Sequence, residues 1–153
     1  MIGGLAIDIG TTTVSALLID MISGDILGKA SSGNGQIRYG ADVINRIIES
    51  AKPGGRRRLQ KAIIDETINP LIQQMCRAAK FPNKQIYRNV CCRKYNYESF
   101  VCRSECRSGS YEPYIPTFYK TNSLYASDLG LTVNPDAHII IAPNIGSYVG
   151  GDI

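Results

Sequence analysis

Two apolar runs rich in Ile, Leu and Val open the chain, residues 2–9 and 13–20, with a short polar stretch between them. Each run predicts a β-strand. Ser23-Gly24-Asp25 predicts a turn, and residues 26–32 a third strand of an antiparallel meander, followed by a loop over 31–35. The period then changes. Val43, Ile44, Ile47, Ile48 and Ala51 recur at helical spacing over 40–51, with Asp42, Asn45, Arg46 and Glu49 between them. Pro53-Gly54-Gly55 ends that helix. A longer helix is expected over 57–80, striped by Leu59, Ile63, Ile64, Ile68, Leu71, Ile72 and Met75, kinked or divided near Asn69 by Pro70. Short strands follow at 86–92 and 138–142, with a polar loop ahead of the second. Hairpin strands followed by helices alternating with single strands imply a mixed α/β sheet.

Composition narrows the class without changing that picture. The 153 residues suffice for one domain with a core, and 44% hydrophobic with 20% charged residues is a soluble globular balance. The net charge of +4 is mild and no basic stripe alternates with aromatics, so nucleic acid is not an expected partner. Arg56-Arg57-Arg58, the basic run, is expected to be solvated at a helix start. The apolar runs are too short to span a bilayer, and the N-terminus lacks a signal-peptide pattern, so no membrane association and a cytoplasmic location are expected.

The candidate chemistry lies in the first turn, Asp8-Ile9-Gly10-Thr11-Thr12. Gly10 lets the backbone adopt a conformation closed to other residues and lets a ligand approach. Hydroxyls and amides of Thr11, Thr12 and Thr13 can then face a phosphate chain. Asp8 supplies a hard oxygen for Mg²⁺, directly or through water. An ordinary hairpin with Gly and Thr in its turn would read the same way. No Walker loop occurs in the chain. Cys76, alone in a helical stripe, is expected to be a buried small hydrophobe. Gly150, Gly151 and Asp152 offer a second cluster that either opens a helix near the cleft or forms a simple turn.

Asp8-x-Gly10-Thr11-Thr12 in a strand–turn–strand resembles the first phosphate motif of the actin, sugar-kinase and Hsp70 superfamily. The continuation is more specific. Gly35-Gln36-Ile37-Arg38-Tyr39-Gly40-Ala41-Asp42-Val43-Ile44-Asn45-Arg46-Ile47 resembles the ATPase domain of the ATP-dependent reductive activators of corrinoid proteins. So do Glu112-Pro113-Tyr114-Ile115-Pro116 and the run from Ile140 through Pro143-Asn144-Ile145-Gly146 to Asp152. The resemblance implies an incomplete ribonuclease H-like (actin-like) mixed sheet with flanking helices, with 1–153 as the N-terminal half of the nucleotide domain. It implies ATP and Mg²⁺ as cofactors, held by Asp8, Gly10, Thr11, Thr12, Thr13, Gly150, Gly151 and Asp152, with Asp8 toward the metal. It implies a corrinoid protein as partner, whose Co(II) form is reduced to Co(I) at the expense of ATP. An iron–sulfur cluster is implied only in a family domain outside this sequence, as is a homodimer of the full-length protein. A small-molecule kinase of the same superfamily and a non-catalytic fragment are the alternatives.

Residues 89–111 break the pattern, and Cys91, Cys92, Cys102 and Cys106 fall there. Four thiolates could complete a zinc or iron–sulfur shell, but the pairs lack C-x-x-C spacing. Disulfides fit poorly in a cytoplasmic chain. A third reading is a shifted frame: permissible codons for 91–111, read one base later, give VAGNTTMNHLFAGVNADPVRM without a stop. That string carries the strand end, polar turn and apolar helix start that are missing, and it resembles the family at this place.

Overall fold

The computed structural model of the chain describes residues 1–93 and 124–141. β1 (Gly3–Ile9) and β2 (Thr13–Asp20) pair antiparallel with Leu5 opposite Leu18 and Ile7 opposite Ala16. Their alternation sends Leu5, Ile7, Ile9, Val14, Ala16 and Leu18 to one face, where all are buried. β3 (Ile26–Gly33) continues the meander at the edge. β4 (Ile86–Arg93) adds parallel to β1 on its other side. β6 (His138–Ile141) adds parallel to β4, and the two-residue β5 (Leu124–Tyr125) closes the order β3-β2-β1-β4-β6-β5. This is the mixed sheet the pattern implied, with β1 central.

The helices cover the buried face. A 3-10 turn (Gly35–Tyr39) leads to α1 (Val43–Ala51), capped by Asp42, whose carboxylate accepts from the Asn45 N–H at 2.8 Å. α2 (Gly55–Ile63) and α3 (Asn69–Ala79) form one long helical run, and α3 packs on β3 and β2. Leu59, Ile63, Ile72 and Met75 are almost wholly buried with the inner residues of β1 and β2 in a single cluster. Cys76 is buried there as expected.

Four features refine or change the expectations. The long run divides ahead of Pro70, with α3 beginning at Asn69. It widens into a π-helical turn (Ile64–Ile68), where the Asn69 N–H bonds the Ile64 carbonyl five residues back. A proline has no N–H to give, and its ring crowds the carbonyl four residues earlier; the wider turn ahead of it removes that conflict. The stretch expected as a loop over 31–35 is the end of β3 and the start of the 3-10 turn. The polar loop before β6 contains β5 and a one-turn helix (Ala126–Leu129), started by Asp128 accepting from the Tyr125 N–H at 2.9 Å.

The fourth change is the orientation of α1. Ile44 and Ile48 are 64% and 55% exposed, whereas Arg46 is 0% and Glu49 7% exposed. Val43, Arg46, Ile47 and Ser50 form the inward stripe instead. Arg58 is likewise not simply solvated: it donates to Glu49 at 2.7 and 3.0 Å and to the Pro53 carbonyl at 3.0 Å.

Candidate functional site

Residues 10–13 connect β1 to β2, and the Gly10 N–H closes the turn on the Thr13 carbonyl at 2.9 Å. Gly10 does not use the left-handed region; the positive-φ glycines among the described residues are Gly24, Gly54 and Gly130. Its requirement is space, since a Cβ there would lie 2.6 Å from the Thr13 carbonyl oxygen. The three carbonyls that follow all point into the protein. Asn34 Nδ2 donates to Gly10 O at 2.9 Å, Arg46 Nη2 to Thr11 O at 2.6 Å, and the Asn34 N–H to Thr12 O at 2.8 Å. In a planar trans peptide the carbonyl and the next N–H point opposite ways. The amides of Thr11 and Thr12 are therefore turned away from Asn34 Nδ2 and Arg46 Nη2, whereas Thr13, the first residue of β2, has its carbonyl and N–H on the side of Gly10. Thr12 and Thr13 are exposed and Thr11 half-buried.

The side chains behind the turn are polar and buried: Asn34 at 2%, Gln36 at 0% and Arg46 at 0% exposure. Asn34 Oδ1 accepts from the Gln36 N–H at 2.9 Å, which also caps the 3-10 turn. Gln36 Nε2 donates to the Leu59 carbonyl at 2.9 Å and its Oε1 accepts from Arg46 at 3.4 Å. Arg46 Nε donates to the Gly40 carbonyl at 2.8 Å. Below them, Thr67 of the π turn accepts from the Gly35 N–H at 3.0 Å and donates to the Ala62 carbonyl at 2.8 Å. Hydrogen bonds of this kind are what permit polar groups in a core.

Asp8 is exposed on the sheet face opposite the helices. The register places Ser15 opposite Asp8 and Ser31 opposite Ser15, and in the adjoining row Leu17 opposite Ala6 and Lys29 opposite Leu17. These residues floor an open cleft of about 600 Å³ that reaches the base of the turn. Among the described residues no three His, Cys, Asp or Glu side chains converge. Asp8 is thus a single carboxylate beside the turn, and the remaining ligands of any Mg²⁺ it held would come from outside these side chains. Magnesium commonly binds in that way.

The turn residues Asp8, Gly10, Thr11, Thr12 and Thr13 therefore sit together. Gly150, Gly151 and Asp152 lie outside the described residues, as do 112–116, Cys102 and Cys106. Residue patterns alone did not single out Asn34, Gln36, Arg46 or Lys29. Lys29 was accessible through the period-2 alternation of β3. The other three lay inside or beside the run from Gly35 to Ile47, which carried a resemblance without a chemical role.

Residues 3–153 match the family model described as the RACo middle region. The chain is 33% identical over 150 residues to the corrinoid activation enzyme RamQ of Eubacterium limosum, a match covering 97% of this chain and 25% of that protein. Among solved structures, the reductive activator for corrinoid, iron-sulfur protein is similar with a TM-score of 0.94 at 38% identity, over 99% of this chain and 24% of that one. The chain spans about a quarter of the length of these relatives. The actin-like mixed-sheet fold class expected from the sequence holds, with the domain incomplete.

Proposed function

Since the chain belongs to the RACo middle-region family, we propose that it forms the phosphate-holding half of a nucleotide domain in an ATP-dependent activator of corrinoid proteins. One observation carries the nucleotide part. The carbonyls of Gly10 and Thr11 are tied to Asn34 and Arg46, so the Thr11 and Thr12 amides are turned away from those donors in the turn that follows Asp8. Oriented amides are suited to phosphate oxygens, and Mg²⁺ would neutralise phosphate charge while Asp8 fixes its position. One relative is named a corrinoid activation enzyme and the other a reductive activator for corrinoid, iron-sulfur protein, which supports a corrinoid protein as partner; reduction of Co(II) to Co(I), coupled to ATP hydrolysis, is the role in this proposal. The helices of the described residues include none long and apolar enough to cross a membrane, and a cytoplasmic location belongs to the same proposal.

A kinase acting on a small-molecule hydroxyl would want a second carboxylate as base. Among the described residues, the cleft wall carries Asp8 as its sole carboxylate, which favours the activator.

Calorimetric titration with Mg·ATP tests the reading, on this chain and on a polypeptide extended to the relatives' length. The extended protein is expected to bind, the short chain at least tenfold more weakly. Asp8→Asn should weaken Mg·ATP but leave metal-free ATP binding unchanged. Lack of binding by the extended protein would reject the nucleotide role, and equal binding by the short chain would reject the half-domain.

A further inference from the structure

The most buried cation among the described residues stands directly behind the Gly10–Thr13 turn. Arg46 comes from the middle of α1, 35 residues after Thr11, yet its Nη2 donates to the Thr11 carbonyl at 2.6 Å, the shortest of the contacts that hold the turn. Its Nε and Nη1 reach the Gly40 carbonyl and Gln36 Oε1, so the fork is spread across three segments. Taking a guanidinium out of water is costly unless its donors are engaged. Core filling does not require one here, because the same helix turns Ile44 and Ile48 out to solvent while Arg46 is inside.

We propose that Arg46 is a positioning residue of the phosphate turn. It holds the Thr11 carbonyl inward, which turns the Thr12 amide outward, and Asn34 Nδ2 does the same for the preceding peptide. Its positive charge, buried behind the turn, adds to the attraction for an anion in front, where low dielectric limits screening. The inference rests on the nucleotide reading for its ligand, but the hold on the turn is a property of the free protein. It also gives the run from Gly35 to Ile47 a physical role. Gly35 and Gln36 anchor the assembly to Thr67 and Leu59 of the long helical run, Gly40 accepts from Arg46, and Asp42 caps the helix that delivers it.

Two variants separate geometry from charge. Arg46→Lys keeps the charge but lacks the fork; Arg46→Met keeps the bulk and loses both. The reporters are the Gly10 and Asn34 amides, bonded to Thr13 O and Thr12 O within the turn, followed by hydrogen exchange in the nucleotide-free chain. In Arg46→Lys both are expected to exchange at least tenfold faster, while the β1–β2 ladder amides of Ala6 and Leu17 stay within twofold of wild type. Mg·ATP affinity of the extended protein should fall at least tenfold in Arg46→Lys and further in Arg46→Met. Unchanged exchange at Gly10 and Asn34 in both variants would overturn the proposal. So would uniform loss of protection through β1 and β2 in Arg46→Lys, which would make the residue a general structural element. Faster turn exchange in Arg46→Lys, together with an extended wild-type protein that binds no Mg·ATP, would uphold the hold on the turn and reject the nucleotide instead.

Discussion

A methyl group at position 10 would meet the Thr13 carbonyl oxygen at 2.6 Å, and the atom in its way is backbone. The turn can yield only by moving the peptide whose oxygen receives the Gly10 N–H. Gly10→Ala is therefore expected to destabilise the chain by about 1–3 kcal/mol, in the range of mutations with a named steric cause. Denaturant unfolding measures that cost, and a loss below about 0.5 kcal/mol would mean the turn has room to spare. Cys76 presents the opposite case, a reactive group made inert by its surroundings. Burial pushes its thiol above the ordinary cysteine range, and only thiolate reacts readily. Alkylation of Cys76 in the native protein at pH 8 should be at least tenfold slower than in denaturant, read by mass spectrometry of its peptide.

At the scale of elements, α1 is held by its polar residues. Ser50 bonds the Ile47 carbonyl, and Glu49 receives Lys52 Nζ at 2.8 Å and Arg58 Nη2 at 2.7 Å, joining α1 to α2. Lys52 first and Arg58 second hold the Glu49 carboxyl below the usual carboxylate range. A carboxyl depressed in the folded state contributes stability that is present above its unfolded pKa, about 4.3. That contribution is lost as pH falls through the lower folded value. Thermal unfolding between pH 6 and pH 3 should thus show a steeper acid loss in wild type than in Glu49→Gln; parallel curves would show that the junction gains nothing from the charge. The outward row makes a matching prediction. Ile44→Ser and Ile48→Ser should each change stability by no more than about 0.5 kcal/mol, as exposed positions do. A loss of 2 kcal/mol would mean that the row is packed.

This helix also shows where a sequence stops being legible. The meander, the long helical run and the Gly–Thr turn were legible because their signals are local: period 2, period 3.6, and turn chemistry between apolar strands. The face of α1 was not legible, because hydrophobic spacing places Ile44 and Ile48 inside. What overrides it is a guanidinium meeting carbonyls of residues 11 and 40, brought near only by the completed sheet. The π turn needed the balance between Pro70 and its preceding carbonyls, and β5 at two residues is too short to show any period.

For the molecule as a whole, the sheet depends on the strand that precedes the anomalous segment. β4 lies between β1 and β6, with Cys91 opposite Ile7 on one side and Ile141 on the other. Asp8 and Ile9 of β1 pair with Cys92 and Arg93. A strand flanked by parallel neighbours and covered by helices normally reads as an apolar run, and Ile86 to Val90 followed by Cys-Cys-Arg-Lys departs from that toward its end. The shifted frame puts Val-Ala-Gly-Asn at 91–94, which restores a small apolar ending and a turn. It also lowers the net charge, since Arg93, Lys94, Arg103 and Arg107 against Glu98 and Glu105 give +2 and the alternative string is neutral, so +4 becomes +2. The coding DNA across codons 88 to 113 is expected to show one extra base near codon 90 and one lost near codon 112. At the protein level, a chain carrying the alternative string should unfold at least about 4 °C higher, the shift that about 1–2 kcal/mol produces at this size. An intact frame together with an unchanged Tm would establish the cysteine-rich segment as genuine, and metal analysis of the purified chain would then decide what its thiols bind.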